Sequence, residues 1–123
     1  MDIKANLEAV QQVIARACLK AGRAPGEVLL IAVSKTVDLE RIRAAIAAGV
    51  AALGENRVQE AKEKVAALGR PVPWHLIGSL QTNKARDAVT LFDWIQSVDR
   101  LELARELDRR AQAAGRKVSG LLQ

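Results

Sequence analysis

Lys35 directly follows the apolar run from Val28 to Val33, between Ser34 and Thr36. A lysine held at the end of a rigid strand, at the mouth of an apolar site, loses hydration, and that loss favours the neutral amine. The neutral amine is the form that attacks a carbonyl to give a Schiff base. The plain alternative is a strand-end lysine that snorkels its ammonium to water. Other apolar runs also end in polar groups. Glu55 and Asn56 follow Ala51 to Leu53, and Gln96 and Ser97 follow Phe92 to Ile95. His75 lies within the run from Val72 to Ile77, and Gly78, Ser79 and Gln81 follow it.

Each of these has a structural reading beside the chemical one. Asn56 with Gln59 three residues on reads as a helix N-cap and capping box. His75, between Trp74 and Leu76, reads either as a hydrogen-bonded core histidine or as a proton shuttle. Gly54 and Gly78 serve a tight turn or a close ligand approach equally well. Neither a phosphate-binding glycine loop, nor a dinucleotide fingerprint, nor a nucleophile elbow is present in the sequence.

The elements that would position these groups follow from the hydrophobic pattern. Five apolar runs, starting at Val28, Ala51, Val72, Phe92 and Val118, recur every 20 to 26 residues. Helical periodicity fills the gaps, with Leu39, Ile42 and Ile46 in one and Val58, Ala61, Val65 and Leu68 in the next. Continuous apolar strands between helices predict an α/β fold with a parallel sheet. Asp38 and Asp99 stand where helices should start, and Gly49, Gly69 and Gly115 where they should stop. Pro71 and Pro73 place the start of the third strand near Trp74. An extra N-terminal helix carries the stripe Leu7, Val10, Ile14, Ala17 and Cys18, which makes the one cysteine core filler.

Composition narrows the function classes. One cysteine and one histidine exclude a disulfide scaffold and a standard zinc site. The apolar stretch Ala44 to Leu53 is well short of the roughly 18 residues that cross a bilayer. No secretory signal is visible, so the cytoplasm is the expected compartment. A net charge of +5 would permit weak attraction to polyanions, but three aromatic residues offer few stacking platforms. Arg105, Arg109, Arg110, Arg116 and Lys117 read as the solvated face of the last helix, so no nucleic-acid partner is expected.

The 123 residues suit one domain, 1–123. A flavodoxin-like sheet of five strands fits this length, but it normally ends with a covering helix. Here the chain stops at Leu121-Leu122-Gln123, inside an apparent strand. The expectation is therefore about five strands of an eight-stranded β/α barrel, which typically needs about 250 residues. Such a partial barrel would leave an unpaired edge open to self-association.

Four blocks of sequence, in order, carry a resemblance. They are Ala32-Val33-Ser34-Lys35-Thr36, Gly54-Glu55-Asn56-Arg57-Val58-Gln59-Glu60, Trp74 through Lys84, and Gln96-Ser97-Val98-Asp99. Together they resemble the pyridoxal phosphate homeostasis protein family over essentially the whole chain. The resemblance implies a barrel of the alanine racemase N-terminal type, without that enzyme's second β-domain. It implies pyridoxal phosphate as cofactor, with Lys35 at the family's Schiff-base position. It also places Asn56, His75, Ile77, Gly78 and Ser97 at strand-end positions lining the cofactor pocket. Arg57, Gln59, Gln81, Asn83 and Lys84 match the motifs as loop-shaping residues. The loops that hold the cofactor's phosphate and pyridine nitrogen come, by the same resemblance, from later strands that this sequence does not include.

The function implied is intracellular cofactor homeostasis without catalytic turnover, with pyridoxal phosphate and the apoenzymes that use it as partners. The alternative is a pyridoxal phosphate-dependent amino-acid racemase. That reaction needs a second acid or base on the opposite cofactor face, typically a tyrosine in the racemases, and this sequence has no tyrosine. A basic module binding nucleic acid or an acidic protein is the third, weakest reading.

Overall fold

The structure, a computed structural model, describes residues 2–123. Helix α1 (Ile3–Ala21) opens on Asp2, whose carboxylate accepts from the Ala5 N–H at 3.0 Å, and closes on Gly22 in the left-handed region at φ 70°. Those two signals fix its length, since an N-cap acceptor satisfies an orphan donor and glycine adopts positive φ without steric cost. Cys18 is buried and free, as the apolar stripe predicts, but Val10 of the same stripe is 46% exposed.

Four β/α units and a fifth strand follow the pattern read from the sequence, with shorter strands. They are β1 (Ile31–Val33), α2 (Leu39–Ala47), β2 (Ala52–Glu55), α3 (Val58–Leu68), β3 (Trp74–Leu76), α4 (Ala85–Leu91), β4 (Trp94–Val98), α5 (Leu101–Ala114) and β5 (Ser119–Leu122). The apolar run before β1 does not all pair. Val28 instead closes a 3-10 turn over Pro25–Glu27, donating to Pro25 O, and pairing with β2 begins only at Ile31 opposite Ala52.

Every neighbouring pair of strands is parallel, and the order across the sheet is β1-β2-β3-β4-β5. A doubly wound sheet reverses its strand order at a switch point. This one never does, so its crossovers lay the helices in one layer, and α1 to α5 touch one another in succession. That winding belongs to the β/α barrel and excludes the flavodoxin-like arrangement.

The core fills the space between that helical layer and one face of the sheet, here termed the outer face. Ile42, Leu53, Ala61, Trp74, Leu76, Phe92, Ile95 and Leu103 are all buried there. Full burial of an aliphatic or aromatic side chain stabilises by about 1.5–3 kcal/mol, so this cluster supplies the main driving force. Register assigns the faces: Ala32 pairs with Leu53 and Leu53 with Trp74 on the outer face, while Val33 pairs with Gly54 and Gly54 with His75 on the inner one. β1 and β5 are the edges, and Leu121 and Leu122 of β5 are exposed. No helix among the described residues is long and apolar enough to cross a membrane.

The helix starts correct two expectations. Asp38 caps α2 as predicted, accepting from the Arg41 N–H at 2.8 Å. Asp99 does not cap α5; the cap position is Arg100, and Asp99 pairs with its guanidinium at 2.7 Å instead. Asn56 does not cap α3 either, because that helix starts one residue later from Arg57, without a side-chain cap. Gly69 and Gly115 do end their helices, at φ 69° and 63°. The basic residues near the C-terminus are not all on a solvated face: Arg116 reaches inward to the carbonyls of Val89 and Phe92 and to Asp93.

Candidate functional site

The carboxyl ends of β1 to β4 bring the strand-end residues to one rim of the sheet. In parallel α/β folds this rim is where ligands bind, because the strands fix it and the loops that follow can vary. Three of the residues are in direct contact. An added Cβ on Gly78 would lie 2.9 Å from the Asn56 carbonyl oxygen and 3.0 Å from Asn56 Oδ1, so only glycine lets the two loops meet. Gly78 O in turn accepts from Ser97 Oγ at 2.6 Å. Asn56, Gly78 and Ser97 thus tie the ends of β2, β3 and β4 together. Gly78 thus makes room for the neighbouring Asn56 loop, a third use beside the tight turn and the close ligand approach that the sequence left open.

His75 of β3 and Ile77, two residues on and just past the strand's end, share the inner face. Gly54 makes room for this face: a Cβ there would meet Ile31 Cγ2 at 3.0 Å and Ile77 Cδ1 at 3.4 Å. The His75 ring stacks parallel on Trp94, with centroids 5.7 Å apart, and its Nδ1 lies 3.0 Å from Gln96 Nε2. Burial pushes its pKa below the ordinary 6.5, with Asp93 opposing weakly. The imidazole is therefore neutral at pH 7. With the Gln96 amide donating to Nδ1, the ring proton sits on Nε2, a buried atom with no partner among the described residues.

β4 carries an irregularity that explains how Gln96 and Ser97 reach opposite neighbours. Ile95 pairs with Gly120 and Val98 with Leu122, so three steps on β4 oppose two on β5. This bulge keeps Ile95 and Val98 in the same core, and re-aims the residues between them.

Lys35 follows β1 in a turn and is exposed, so the apolar surroundings expected to desolvate it are not formed by these five strands. It makes no ion pair among the described residues. Its neighbours are held firmly. Ser34 is buried, and Thr36 is the one described non-glycine residue at positive φ, 62°. Beneath them lies a charge network that sequence reasoning missed. Lys64 Nζ donates to Ser34 O at 2.5 Å, to Glu55 Oε2 at 2.9 Å and to Glu60 Oε2 at 2.8 Å, one acceptor for each ammonium proton. Ser34 Oγ donates to Glu55 Oε2 as well, with Gly54 O at 3.2 Å as a second acceptor. Glu60 Oε2 also accepts from the Thr36 N–H at 2.5 Å. Burial pulls the Lys64 pKa down, but the hydrogen bonds it donates to Glu55 and Glu60, with their charges, outweigh that and raise it. The Lys64 hydrogen bond, followed by that of the Thr36 amide, holds the Glu60 carboxyl below the ordinary range. The signal was a lysine in the apolar stripe of α3, three residues after Ala61 and four after Glu60.

No family model matches the chain. It is 40% identical over 126 aligned positions to the pyridoxal phosphate homeostasis protein of Haemophilus influenzae, covering 100% of this chain and 53% of that one. Among solved structures, PipY of Synechococcus elongatus with pyridoxal phosphate bound is 48% identical with a TM-score of 0.75, covering 88% of this chain and 52% of that one. The chain belongs to the pyridoxal phosphate homeostasis protein family. It spans about half the length of the curated relatives it matches, their N-terminal half. An unknown protein from Bifidobacterium adolescentis superposes with a TM-score of 0.90 at 40% identity, over 98% of this chain and 53% of that one. Alanine racemase from Clostridium difficile shares the fold alone, at 16% identity and a TM-score of 0.73, over 97% of this chain and 30% of the racemase.

The rim fits the reactive end of pyridoxal phosphate. Among the described residues it offers a primary amine outside every ion pair, a buried neutral imidazole whose Nε2 has no partner, and strand ends packed closely by Gly54 and Gly78. Arg57, Gln59, Gln81, Asn83 and Lys84 are exposed residues beyond the strand ends.

Proposed function

We propose that this chain binds pyridoxal phosphate at the carboxyl ends of its strands, with Lys35 as covalent anchor, and serves to hold and deliver the cofactor without turning over a substrate. The observation that carries the reading is the placement of Lys35. It is a strand-end amine without an ionic partner among the described residues, on the rim where Asn56, Gly78 and Ser97 are tied together. The names of the relatives and the pyridoxal phosphate bound in PipY support it. The cofactor supplies an aldehyde that condenses with a primary amine.

The chain's own residues then have distinct roles. Lys35 supplies the amine. Asn56 and Gly78 shape the rim beside it, and Ser97 fixes the Gly78 carbonyl. Ile77 lines the inner face over Gly54, and His75 offers a buried N–H donor. The reading takes residues 1–123 as one partial-barrel domain acting in the cytoplasm. Its partners would be apoenzymes that need the cofactor, with the exposed edge of β5 as a route to self-association.

The test mixes the purified chain with pyridoxal phosphate, follows the visible absorbance band, and reduces with borohydride before peptide mapping. The expected result is stoichiometric label on Lys35 that is lost in Lys35→Ala. Label spread over all lysines and unchanged in Lys35→Ala overturns the reading.

A further inference from the structure

Lys35 lies between two residues that the same buried network grips from below. On its N-terminal side, Ser34 donates to Glu55 and receives Lys64 on its carbonyl. On its C-terminal side, Thr36 gives its N–H to Glu60. Thr36 is also in the left-handed region, at φ 62°. A β-branched residue rarely stays there unless its surroundings hold it. The restraint here is specific: a charge-assisted hydrogen bond to the backbone amide from a carboxylate itself fixed at 2.8 Å by a buried lysine.

The geometry points to Glu60, anchored by Lys64, as a positioning residue for Lys35: its carboxylate holds the Thr36 N–H and thereby fixes the left-handed turn that aims the Lys35 amine at the rim. The arrangement exceeds what folding requires. Glu55 already neutralises Lys64 within the core, whereas Glu60 sits in the first turn of α3 with its side chain 25% exposed. Glu55 reaches Ser34, before Lys35, whereas Glu60 reaches the Thr36 N–H, beyond it. A lysine side chain has four rotatable bonds and high rotamer entropy, so a fixed backbone is the main means of narrowing where its amine goes. The inference rests on the reading of Lys35 as the cofactor anchor.

The test uses the full chain and two readouts. One is the share of borohydride-fixed pyridoxal phosphate found on Lys35 against Lys4, Lys20, Lys62, Lys64, Lys84 and Lys117. The other, which needs no cofactor, is hydrogen-exchange protection of the Thr36 amide. Glu60→Ala should lower both, the Lys35 share by at least fivefold, with circular dichroism unchanged. Glu60→Gln keeps an acceptor oxygen and should restore at least half of each. A Lys35 share unaltered in Glu60→Ala, with Thr36 protection lost, overturns the positioning role while leaving the anchor reading intact. Even labelling of all seven lysines in the wild-type chain overturns the anchor reading, and this inference with it. Should Glu60→Ala unfold, Glu60→Gln and Glu60→Ser are compared with wild type by the same two readouts and judged by the same outcomes.

Discussion

The α carbon of Gly78 packs so closely on Asn56 that a methyl group at Gly78 would fall 2.9 Å from the Asn56 carbonyl oxygen, a backbone atom that cannot swing aside. Gly78→Ala must therefore part the loops after β2 and β3, and pull the Gly78 carbonyl away from Ser97 Oγ. Overpacking of this kind costs about 1–3 kcal/mol. Gly26→Ala is the matched control, because a Cβ there meets nothing within 4 Å. Urea unfolding should show Gly78→Ala less stable by that amount and Gly26→Ala within about 1 kcal/mol of wild type. Equal stability of the two variants would mean that the Asn56 loop yields freely.

Lys64→Met should be the most damaging single change in the network. Glu55 is fully buried, and Lys64 is its one ionic partner among the described residues. Removing one member of a buried pair strands the other charge and costs about 3–5 kcal/mol. Pairing it with Glu55→Gln removes the stranded charge and should recover more than half of the loss. Circular dichroism during urea unfolding reads both variants. A double variant no more stable than Lys64→Met would show that packing, not charge, sets the cost.

The contrast between Lys64 and Lys35 also shows how far a sequence can be read. The alternation of strands and helices was legible because apolar runs and period-3.6 stripes record burial directly, whereas the strand order was not in those runs, which fit a flavodoxin-like sheet as well. The strand-end residues were legible because parallel sheets put ligands at one rim. Pairwise detail was not. Asn56 has the type and spacing of an N-cap, yet α3 starts from Arg57, because the Asn56 loop is committed to Gly78 on the neighbouring strand. Lys64 reads locally as an i,i+4 partner of Glu60. Its buried role depends on Glu55 and Ser34, nine and 30 residues away in sequence. The bulge between Ile95 and Val98 left no sign in the alternation of a run this short.

Thr36→Gly separates strain from restraint. The left-handed conformation costs a non-glycine residue about 1–2 kcal/mol, and glycine's extra unfolded-state entropy returns about 0.5–1 kcal/mol of that gain. With Thr36 at φ 62°, the variant should be up to about 1 kcal/mol more stable than wild type by thermal unfolding. Lys35→Ala removes an exposed side chain that makes no ion pair among the described residues, and should leave the unfolding midpoint where it was. A large loss in Lys35→Ala would give that side chain a structural role.

Acid should weaken the fold in two steps with different owners. Burial lowers the His75 pKa from 6.5, so above that value the ring is neutral in both folded and unfolded chains. As pH falls below 6.5, the unfolded chain takes up a proton that the folded one refuses, and stability drops until the folded ring also titrates. Glu60 behaves as a depressed carboxylate: its contribution is complete above the ordinary 4.5 and is lost as pH falls below it, through the lowered folded value. Between pH 7.5 and 5.5 the decline should therefore belong to His75. His75→Gln keeps hydrogen-bonding capacity without a titrating ring, and should flatten the urea midpoint over that interval while leaving the drop below pH 4.5 in place. A wild-type midpoint constant from pH 7.5 to 5.5 would mean that His75 takes up its proton alike in the folded and unfolded chains, and that burial does not hold the ring neutral.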